Sequence, residues 1–278
     1  MRDTCEKPLN WRAEGTRAIG LAPRSLVHRM DESDSCTRCF QSRSCIQAGL
    51  LQNAKADRPV EQTAAIRLRK GQRLFAAGRP LDRVYAIRTG SFKSVMRAPD
   101  GRQQILGFHF SGDMIGLDGY AAQVYLCDAV AVETSEACEI DARVLDAAAR
   151  DYPAVQRRIQ ALVADSMRRA QQNLLVLGSM QGAERLAHFL LDLSDRHRGL
   201  GLSSREFALH MTRKDIGSYL GLYSETVSRL FARFENAGLI QMTRRHQVQI
   251  ADRTALSALL GRPSVSLRIV KSSPPTAD

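Results

Sequence analysis

The sequence has no long apolar run. None of its 278 residues belongs to a stretch approaching the roughly 20 consecutive apolar residues that a membrane-spanning helix needs. The N-terminal region 1–20 mixes basic and acidic side chains and has no apolar core of the kind found in a secretory signal. These absences argue against an integral membrane protein and a secreted one, and they predict a cytoplasmic location.

Motifs for several kinds of cofactor are also missing. The chain has no glycine-rich dinucleotide fingerprint, no two Cys-x2-Cys pairs and no closely spaced histidines. An iron–sulfur enzyme or electron carrier would be expected to show a second cofactor motif, and the sequence has none. We therefore expect that the protein is not an enzyme.

Acidic side chains are outnumbered by basic ones. Lys and Arg total 40 against 29 Asp and Glu, which gives a formal net charge of +11. The two signs balance in the first 35 residues, whereas residues 201–278 carry eleven basic against six acidic side chains. A basic surplus favours a polyanionic partner, so the C-terminal part is the candidate nucleic-acid surface.

Residues 51–146 carry short β-rich runs that are separated by glycines. Examples are the runs 65–68, 83–87 and 104–108. Short strands at even spacing predict an antiparallel barrel or jelly roll, which would form a domain after an N-terminal arm and cysteine segment at 1–50.

A helical period follows over residues 147–180, which we predict to be one long helix. Its apolar stripe recurs every three or four residues, at Val163, Met167, Ala170, Leu174 and Leu177. Such a stripe can pack on its own domain or against a second copy of the chain. Its position between two domains favours a dimer.

Two short helices joined by a glycine-containing turn predict a helix-turn-helix within residues 181–262. Thr212 is the expected cap of the first helix, and Ser224 is the expected cap of the second, which ends near Asn236. A hairpin with a basic turn then predicts a wing. Residues 263–278 are predicted to be a disordered tail.

The second of these helices has a polar face suited to DNA. Glu225, Ser228 and Arg229 share that face at i, i+3 and i+4. Arg can bind a guanine edge, Glu can accept from a cytosine amino group, and Ser can reach either. A solvated helix face with a Glu–Arg pair remains the alternative. Thr212 and Arg213, at the start of the first helix, complete the predicted DNA-contacting set.

Three of the six cysteines lie close together, as Cys36-x2-Cys39-x5-Cys45. In a reducing cytoplasm, clustered thiols indicate a metal or redox site rather than disulfides. Soft thiolates select zinc, copper(I) or an iron–sulfur cluster, and a [4Fe–4S] cluster takes four thiolates from irregular spacings. Cys127 or Cys138 would have to supply the fourth.

The helix-turn-helix segment resembles the signature of the CRP/FNR transcription regulators. The resemblance lies in the sequence Met-Thr-Arg-Lys-Asp-Ile-Gly-Ser-Tyr-Leu-Gly-Leu at 211–222, followed by Glu-Thr-Val-Ser-Arg-Leu at 225–230. In the β-rich part, Lys-Gly-Gln at 70–72, Tyr-Ala-Ile at 85–87 and Gly-Phe-His-Phe at 107–110 agree as well. The resemblance implies an α+β chain with a β-roll, a long dimer helix and a C-terminal winged helix.

The cysteine spacing is similar to that of FNR, the oxygen-responsive branch of this family. Cys138 begins a Cys-Glu-Ile segment that resembles the one holding the family's distal ligand. The resemblance therefore implies a [4Fe–4S] cluster held by Cys36, Cys39, Cys45 and Cys138, assembled under low oxygen and promoting dimerisation.

For DNA recognition, the resemblance implies a twofold-symmetric TTGAT-like site read by Glu225, Ser228 and Arg229, with RNA polymerase as a further partner. Tyr223 and Ser224 stand where the family has small and branched residues. A family member with a zinc-stabilised sensor, or with another ligand, remains the alternative.

The cyclic-nucleotide branch of the family is the other competitor. That branch has an arginine in its phosphate-binding segment, whereas the corresponding stretch 123–129 carries Asp128. A negative charge there disfavours a phosphate, so we expect no cyclic nucleotide. His109 is expected to be a strand histidine rather than a haem ligand.

Overall fold

The computed structural model describes residues 28–29, 65–244 and 246–261. The chain divides into two units, with the boundary between Ala170 and Gln171. Among the described residues, no helix is long and apolar enough to cross a bilayer. The predicted cysteine loop at 36–45 and the predicted tail at 263–278 lie outside the described residues.

The first unit contains a roll of short antiparallel strands. Their bounds are β1 His28–Arg29, β2 Ala65–Leu68, β3 Arg73–Phe75, β4 Arg83–Thr89, β5 Ser91–Arg97, β6 Gln103–Phe110, β7 Met114–Ile115, β8 Asp128–Ala131 and β9 Ser135–Asp141. One sheet has the order β1-β2-β9-β4-β7, and the other has the order β3-β8-β5-β6. The predicted jelly roll is confirmed.

Two buried clusters explain why the central strands are apolar on both faces. One cluster draws side chains from both sheets, including Phe75, Tyr85 and Phe92. The other lies on the opposite face of β4 and β9, where Val84 and Ile140 pack with helix residues. Because successive strand residues point to opposite faces, a strand buried on both sides forms a continuous apolar run.

The helical part of this unit is split by a proline. The helix α1, Ala142–Asp151, starts at Asp141, whose carboxylate accepts from the Arg143 amide at 2.9 Å. The long helix α2 spans Pro153–Ser179. The prediction of one helix from 147 is therefore wrong at its start. The residue before a proline is driven out of the α region, and Tyr152 has φ −127° and ψ 102°.

The second unit is a winged helix, as predicted. Its elements are α3 Gly182–Gly199, β10 Glu206–Ala208, α4 Arg213–Leu220, α5 Ser224–Asn236, β11 Ile240–Arg244, β12 Gln247–Ile250 and α6 Arg253–Ala258. The strands form one antiparallel sheet in the order β10-β12-β11. Leu186, Ile216 and Phe234 are buried in its interior.

Glycines set the tight turn between α4 and α5. Gly221 ends α4 with φ +63°, a left-handed conformation that glycine adopts without strain. A Cβ on Gly217 would lie 2.5 Å from the Leu222 carbonyl oxygen, so only glycine allows this approach. The turn thereby fixes the angle at which α5 leaves α4.

The two helix starts differ from each other. The predicted Thr212 cap is confirmed, because its hydroxyl accepts from the Asp215 amide at 3.0 Å. The predicted Ser224 cap is wrong. Helix α5 starts one residue earlier, with Tyr223 in the cap position and no side-chain cap bond. The first helical hydrogen bond runs from the Val227 amide to the Tyr223 carbonyl, at 3.0 Å, which leaves Ser224 inside the helix.

Candidate nucleic-acid interface and sensor cysteines

Helix α5 separates a polar face from an apolar one. Glu225, Ser228 and Arg229 are all exposed. Val227 and Phe231, on the other face, are buried in the core of the unit. A recognition helix needs this division, because the buried face fixes the helix while the polar face stays available for base edges.

Hydrogen bonds within the first turn orient Glu225. The Ser224 hydroxyl donates to Glu225 Oε1 at 3.0 Å, and the Ser228 hydroxyl donates to the Ser224 carbonyl at 2.9 Å. The pKa of the Glu225 carboxyl lies below its usual value because of its own backbone amide and the Ser224 hydroxyl. An ionised carboxylate only accepts hydrogen bonds, which suits a cytosine amino group and disfavours phosphates.

Thr212 and Arg213, the two other predicted DNA contacts, both make contacts within the protein. The Thr212 hydroxyl is used by the α4 cap. The Arg213 guanidinium carbon lies 3.4 Å from the centre of the Phe231 ring, an arrangement that joins α4 to α5 by a cation–π contact. Burial lowers the pKa of Arg213. Thr212 therefore fixes the start of α4, and Arg213 joins α4 to α5, while contact of either residue with DNA stays a prediction.

Arg185 is a residue that our sequence reasoning missed. Its guanidinium donates to three backbone carbonyls, those of Leu177 at 2.9 Å, Met180 at 2.8 Å and Leu220 at 3.0 Å. It thus joins the end of α2, the linker before α3 and the end of α4. No side-chain pattern could have indicated this role, because all three acceptors are main-chain atoms from separate segments.

The predicted dimer stripe is largely uncovered in the single chain. Met167 is 62% exposed and Leu174 is 70% exposed. Val163 and Ala170 are exposed as well, whereas Leu177 is partly buried. Apolar side chains at this spacing are suited to the seam of a two-helix coiled coil.

Cys138 lies in the middle of the five-stranded sheet. On β9 it is paired with Ala65 of β2 on one side and with Ala86 of β4 on the other. Its side chain is 9% exposed. Arg29 of β1 pairs with Ile66 of β2. Arg29 and Ala65, the described residues on either side of the segment that carries Cys36, Cys39 and Cys45, therefore lie in the same sheet as Cys138.

Cys127 lies in a different environment, within the cluster that draws on both sheets. Its thiol donates to Asp118 Oδ2 at 3.7 Å. Burial, followed by the charge of Asp118, raises the pKa of the Cys127 thiol. Metals bind the thiolate, so a thiol held in its protonated form is a poor ligand. The part of the chain that the structure describes contains no group of three metal-ligating side chains.

Asp128 is a buried carboxylate with two basic partners. Its Oδ2 lies 3.4 Å from Arg73 Nη2 and 3.2 Å from Arg97 Nη2, and its Oδ1 accepts from the Ala77 amide at 3.0 Å. The charge of Asp128 is therefore compensated within the roll and does not by itself repel a phosphate. The absence of a cyclic nucleotide stays a prediction.

Two family models match the chain, one in its N-terminal part and one in its C-terminal part. A model described as "Cyclic nucleotide-binding domain" matches residues 65–152, and one described as "Crp-like helix-turn-helix domain" matches residues 184–259. Together they cover the β-roll with α1 and most of the winged helix.

Curated relatives match over nearly their whole lengths. The transcriptional regulatory protein btr of Bordetella pertussis is 39% identical over 231 residues, which cover 82% of this chain and 94% of that protein. The fumarate and nitrate reduction regulatory protein of Salmonella typhimurium is 38% identical over 247 residues, which cover 87% of this chain and 98% of that protein.

Among solved structures, FixK2 from Bradyrhizobium japonicum has a TM-score of 0.66 at 31% identity, and the match covers 71% of this chain and 96% of that one. Relatives above 30% identity that are matched over most of their length share a family. The protein is thus a member of the CRP/FNR family of DNA-binding transcription regulators.

Proposed function

We propose that the protein is an oxygen-responsive transcription regulator that holds a [4Fe–4S] cluster through Cys36, Cys39, Cys45 and Cys138. The position of Cys138 beside the strands that flank the cysteine segment is the observation that carries this proposal. The names of two relatives support it, the fumarate and nitrate reduction regulatory protein and the anaerobic regulatory protein of Haemophilus influenzae.

The donor set fits this group. Four cysteine thiolates are the standard ligands of a [4Fe–4S] cluster. When bound, the cluster would supply a group that oxygen destroys, and its loss would change the charge and the restraints at Cys138. Cys127 does not fit the fourth position, because it lies in the other buried cluster beside a carboxylate.

A shared buried cluster connects Cys138 with the helix that carries the proposed dimer stripe. Cys138 belongs to the buried cluster that includes Leu145 of α1 and Val155 of α2. Ile159 and Leu162, further along α2, pack against the same cluster. A rearrangement at Cys138 would therefore displace side chains on the inner face of α2.

The outer face of α2 would then govern DNA binding. A second copy of the chain is the partner that an apolar heptad stripe fits, and two paired chains present two α5 helices to a twofold-symmetric TTGAT-like site. One winged helix alone binds weakly, so affinity depends steeply on dimerisation. Activation would further require RNA polymerase as a partner.

The experiment compares the wild-type chain with the variants Cys138→Ser and Cys127→Ser after anaerobic purification. Iron, sulfide and zinc are assayed, and the visible spectrum is followed as air enters. We expect about four irons and four sulfides per chain in the wild type and in Cys127→Ser, with an absorbance that bleaches in air. Cys138→Ser should lose the iron.

Two results would contradict the proposal. Stoichiometric zinc in colourless wild-type protein would indicate a zinc-stabilised regulator instead. Full iron content in Cys138→Ser, together with loss of iron in Cys127→Ser, would show that Cys127 and not Cys138 is the fourth ligand. Cys127→Ser also serves as the matched control, since it changes a buried thiol of the same domain.

A further inference from the structure

Tyr223 is the most exposed large apolar side chain among those that the structure describes, at 83%. It occupies the cap position of α5, with φ −70° and ψ 150°. Its carbonyl accepts the first helical hydrogen bond, from the Val227 amide, so its backbone is held firmly at the helix start. The backbone from which the ring extends is therefore fixed, and the ring is largely uncovered.

The other aromatic side chains of α4 and α5 are used in packing. Tyr219 lies with its ring centre 5.9 Å from that of Phe189, and Phe231 and Phe234 are buried. Tyr223 makes no comparable ring contact within the described residues. Core packing thus does not explain an aromatic residue at this position.

The polar face of α5 lacks the apolar contact that identifies thymine. Glu225, Ser228 and Arg229 offer hydrogen bonds only. In the major groove, thymine differs from the other bases by its C5-methyl group, which proteins read by apolar contact. A helix that enters the groove contacts base edges with its N-terminal residues, and Tyr223 directly precedes the first turn.

We infer that Tyr223 is a specificity-determining residue whose ring contacts the C5-methyl group of one thymine next to the base pairs read by Glu225, Ser228 and Arg229. This inference rests on the proposed function, in which α5 contacts the DNA, here through the face that carries Glu225, Ser228 and Arg229. The phenol hydroxyl lies at the far end of the ring and is not needed for the contact. Tyr223 would add a thymine preference that the three polar residues do not provide.

The test uses the anaerobically purified full-length chain and a pool of random DNA duplexes. The variants are Tyr223→Ala, which removes the ring, and Tyr223→Phe, which keeps it. Leu202→Ala is the matched control, because Leu202 is an exposed apolar side chain of the same unit. After selection, each thymine of the selected site is replaced singly by deoxyuridine, which lacks the methyl group.

For the wild type, Tyr223→Phe and Leu202→Ala, we expect removal of one particular methyl group to weaken binding about fourfold, the factor for one buried methyl-sized group. Tyr223→Ala should lose the preference for that thymine and bind the deoxyuridine duplex as well as the thymine duplex. Binding at the remaining positions should keep its base preferences.

Several outcomes overturn the inference. An unchanged thymine preference in Tyr223→Ala is one, and a wild type indifferent to every methyl group is another. A loss in Tyr223→Phe that is equal for all sequences would indicate a phosphate contact by the hydroxyl instead. A selected site unlike TTGAT would reject only the proposed DNA site, since the comparison of Tyr223 variants is made on whatever site is selected.

Discussion

Arg169 of α2 forms an ion pair with Asp113, which lies in the turn between β6 and β7, with Nη1 2.9 Å from Oδ1. Asp165, one helical turn earlier, is 2.5 Å from Arg169 Nη2. The other oxygen of Asp113 accepts from the Phe110 amide at 3.0 Å. Burial acts to lower the pKa of Arg169, but the two carboxylates raise it overall. The roll is thereby joined to α2 directly beside Ala170.

Replacing Arg169 should weaken this connection. We expect Arg169→Ala to lower the free energy of unfolding by about 1 kcal/mol, the upper range for a partly exposed ion pair. Urea unfolding at low salt measures the loss, which should shrink at high salt. Arg168→Ala is the control, since Arg168 pairs with Asp165 on the same helix. An equal loss in both variants would show that the contact with Asp113 adds nothing.

A charge on the dimer stripe should oppose pairing of two chains. Ala170 is exposed at the centre of the stripe, so Ala170→Asp places like charges opposite each other in a symmetric dimer. We expect the dimer dissociation constant to rise at least about tenfold, the factor for about 1.4 kcal/mol of repulsion. Sedimentation of the anaerobic protein measures it. Gln171→Asp carries the same charge off the stripe and should have little effect.

Arg229 and Arg213 should behave differently when replaced. Arg229→Ala removes an exposed side chain of the proposed recognition face, so it should cost about 1–3 kcal/mol of specific DNA affinity and relax the preference at one base pair. Arg213→Ala removes the contact with Phe231. It should lower stability and weaken binding to all sequences alike. Binding titrations against single-base-pair variants of the site distinguish the two patterns.

The second unit should lose stability on acidification through His188. Burial lowers the pKa of His188 from 6.5, opposed by Asp192 and reinforced by Arg196. Near pH 6.5, His188 therefore binds a proton more weakly in the folded state than in the unfolded chain. This contribution is fully present above about pH 6.5 and is lost as the pH falls below that value.

Thermal unfolding of the full chain between pH 7.5 and 5.5 tests this effect, with pH values on both sides of about 6.5, the ordinary histidine pKa. His188→Gln should show a smaller decrease in Tm than the wild type over that interval. The control is His246→Gln, because His246 is exposed. A wild type and a His188→Gln variant with equal slopes would reject the role of His188.

Much of the fold followed from local patterns. Glycine-punctuated strands predicted the roll, and the Thr212 cap with the glycine turn predicted the helix-turn-helix, because these features depend on residues close in sequence. The helix break before Pro153 also follows from a local rule, but the continuous helical spacing of apolar residues led us to predict one helix across it. Residue type favoured Ser224 as the α5 cap, yet the turn geometry puts Tyr223 there.

The connections between elements were not predictable in the same way. Arg185 binds carbonyls up to 35 residues away, and Arg169 meets a carboxylate 56 residues away. Such pairs depend on the completed fold. The neighbouring sequence does not distinguish a helix arginine that binds a distant partner from one that is only solvated. The exposed state of Tyr223 also required the structure, since its neighbours in sequence are partly buried.

The pairing of β1 with β2 has a thermodynamic consequence for the proposed sensor. Because Arg29 pairs with Ile66, the described residues on either side of the cysteine segment are neighbours across two strands. The pairing of Ala65 with Cys138 holds them next to β9. In the proposed cluster, the meeting of Cys36, Cys39 and Cys45 with Cys138 would then be an intramolecular step with a high effective concentration. Its equilibrium should not change when the protein is diluted, in contrast to the dimerisation that the proposed cluster would promote.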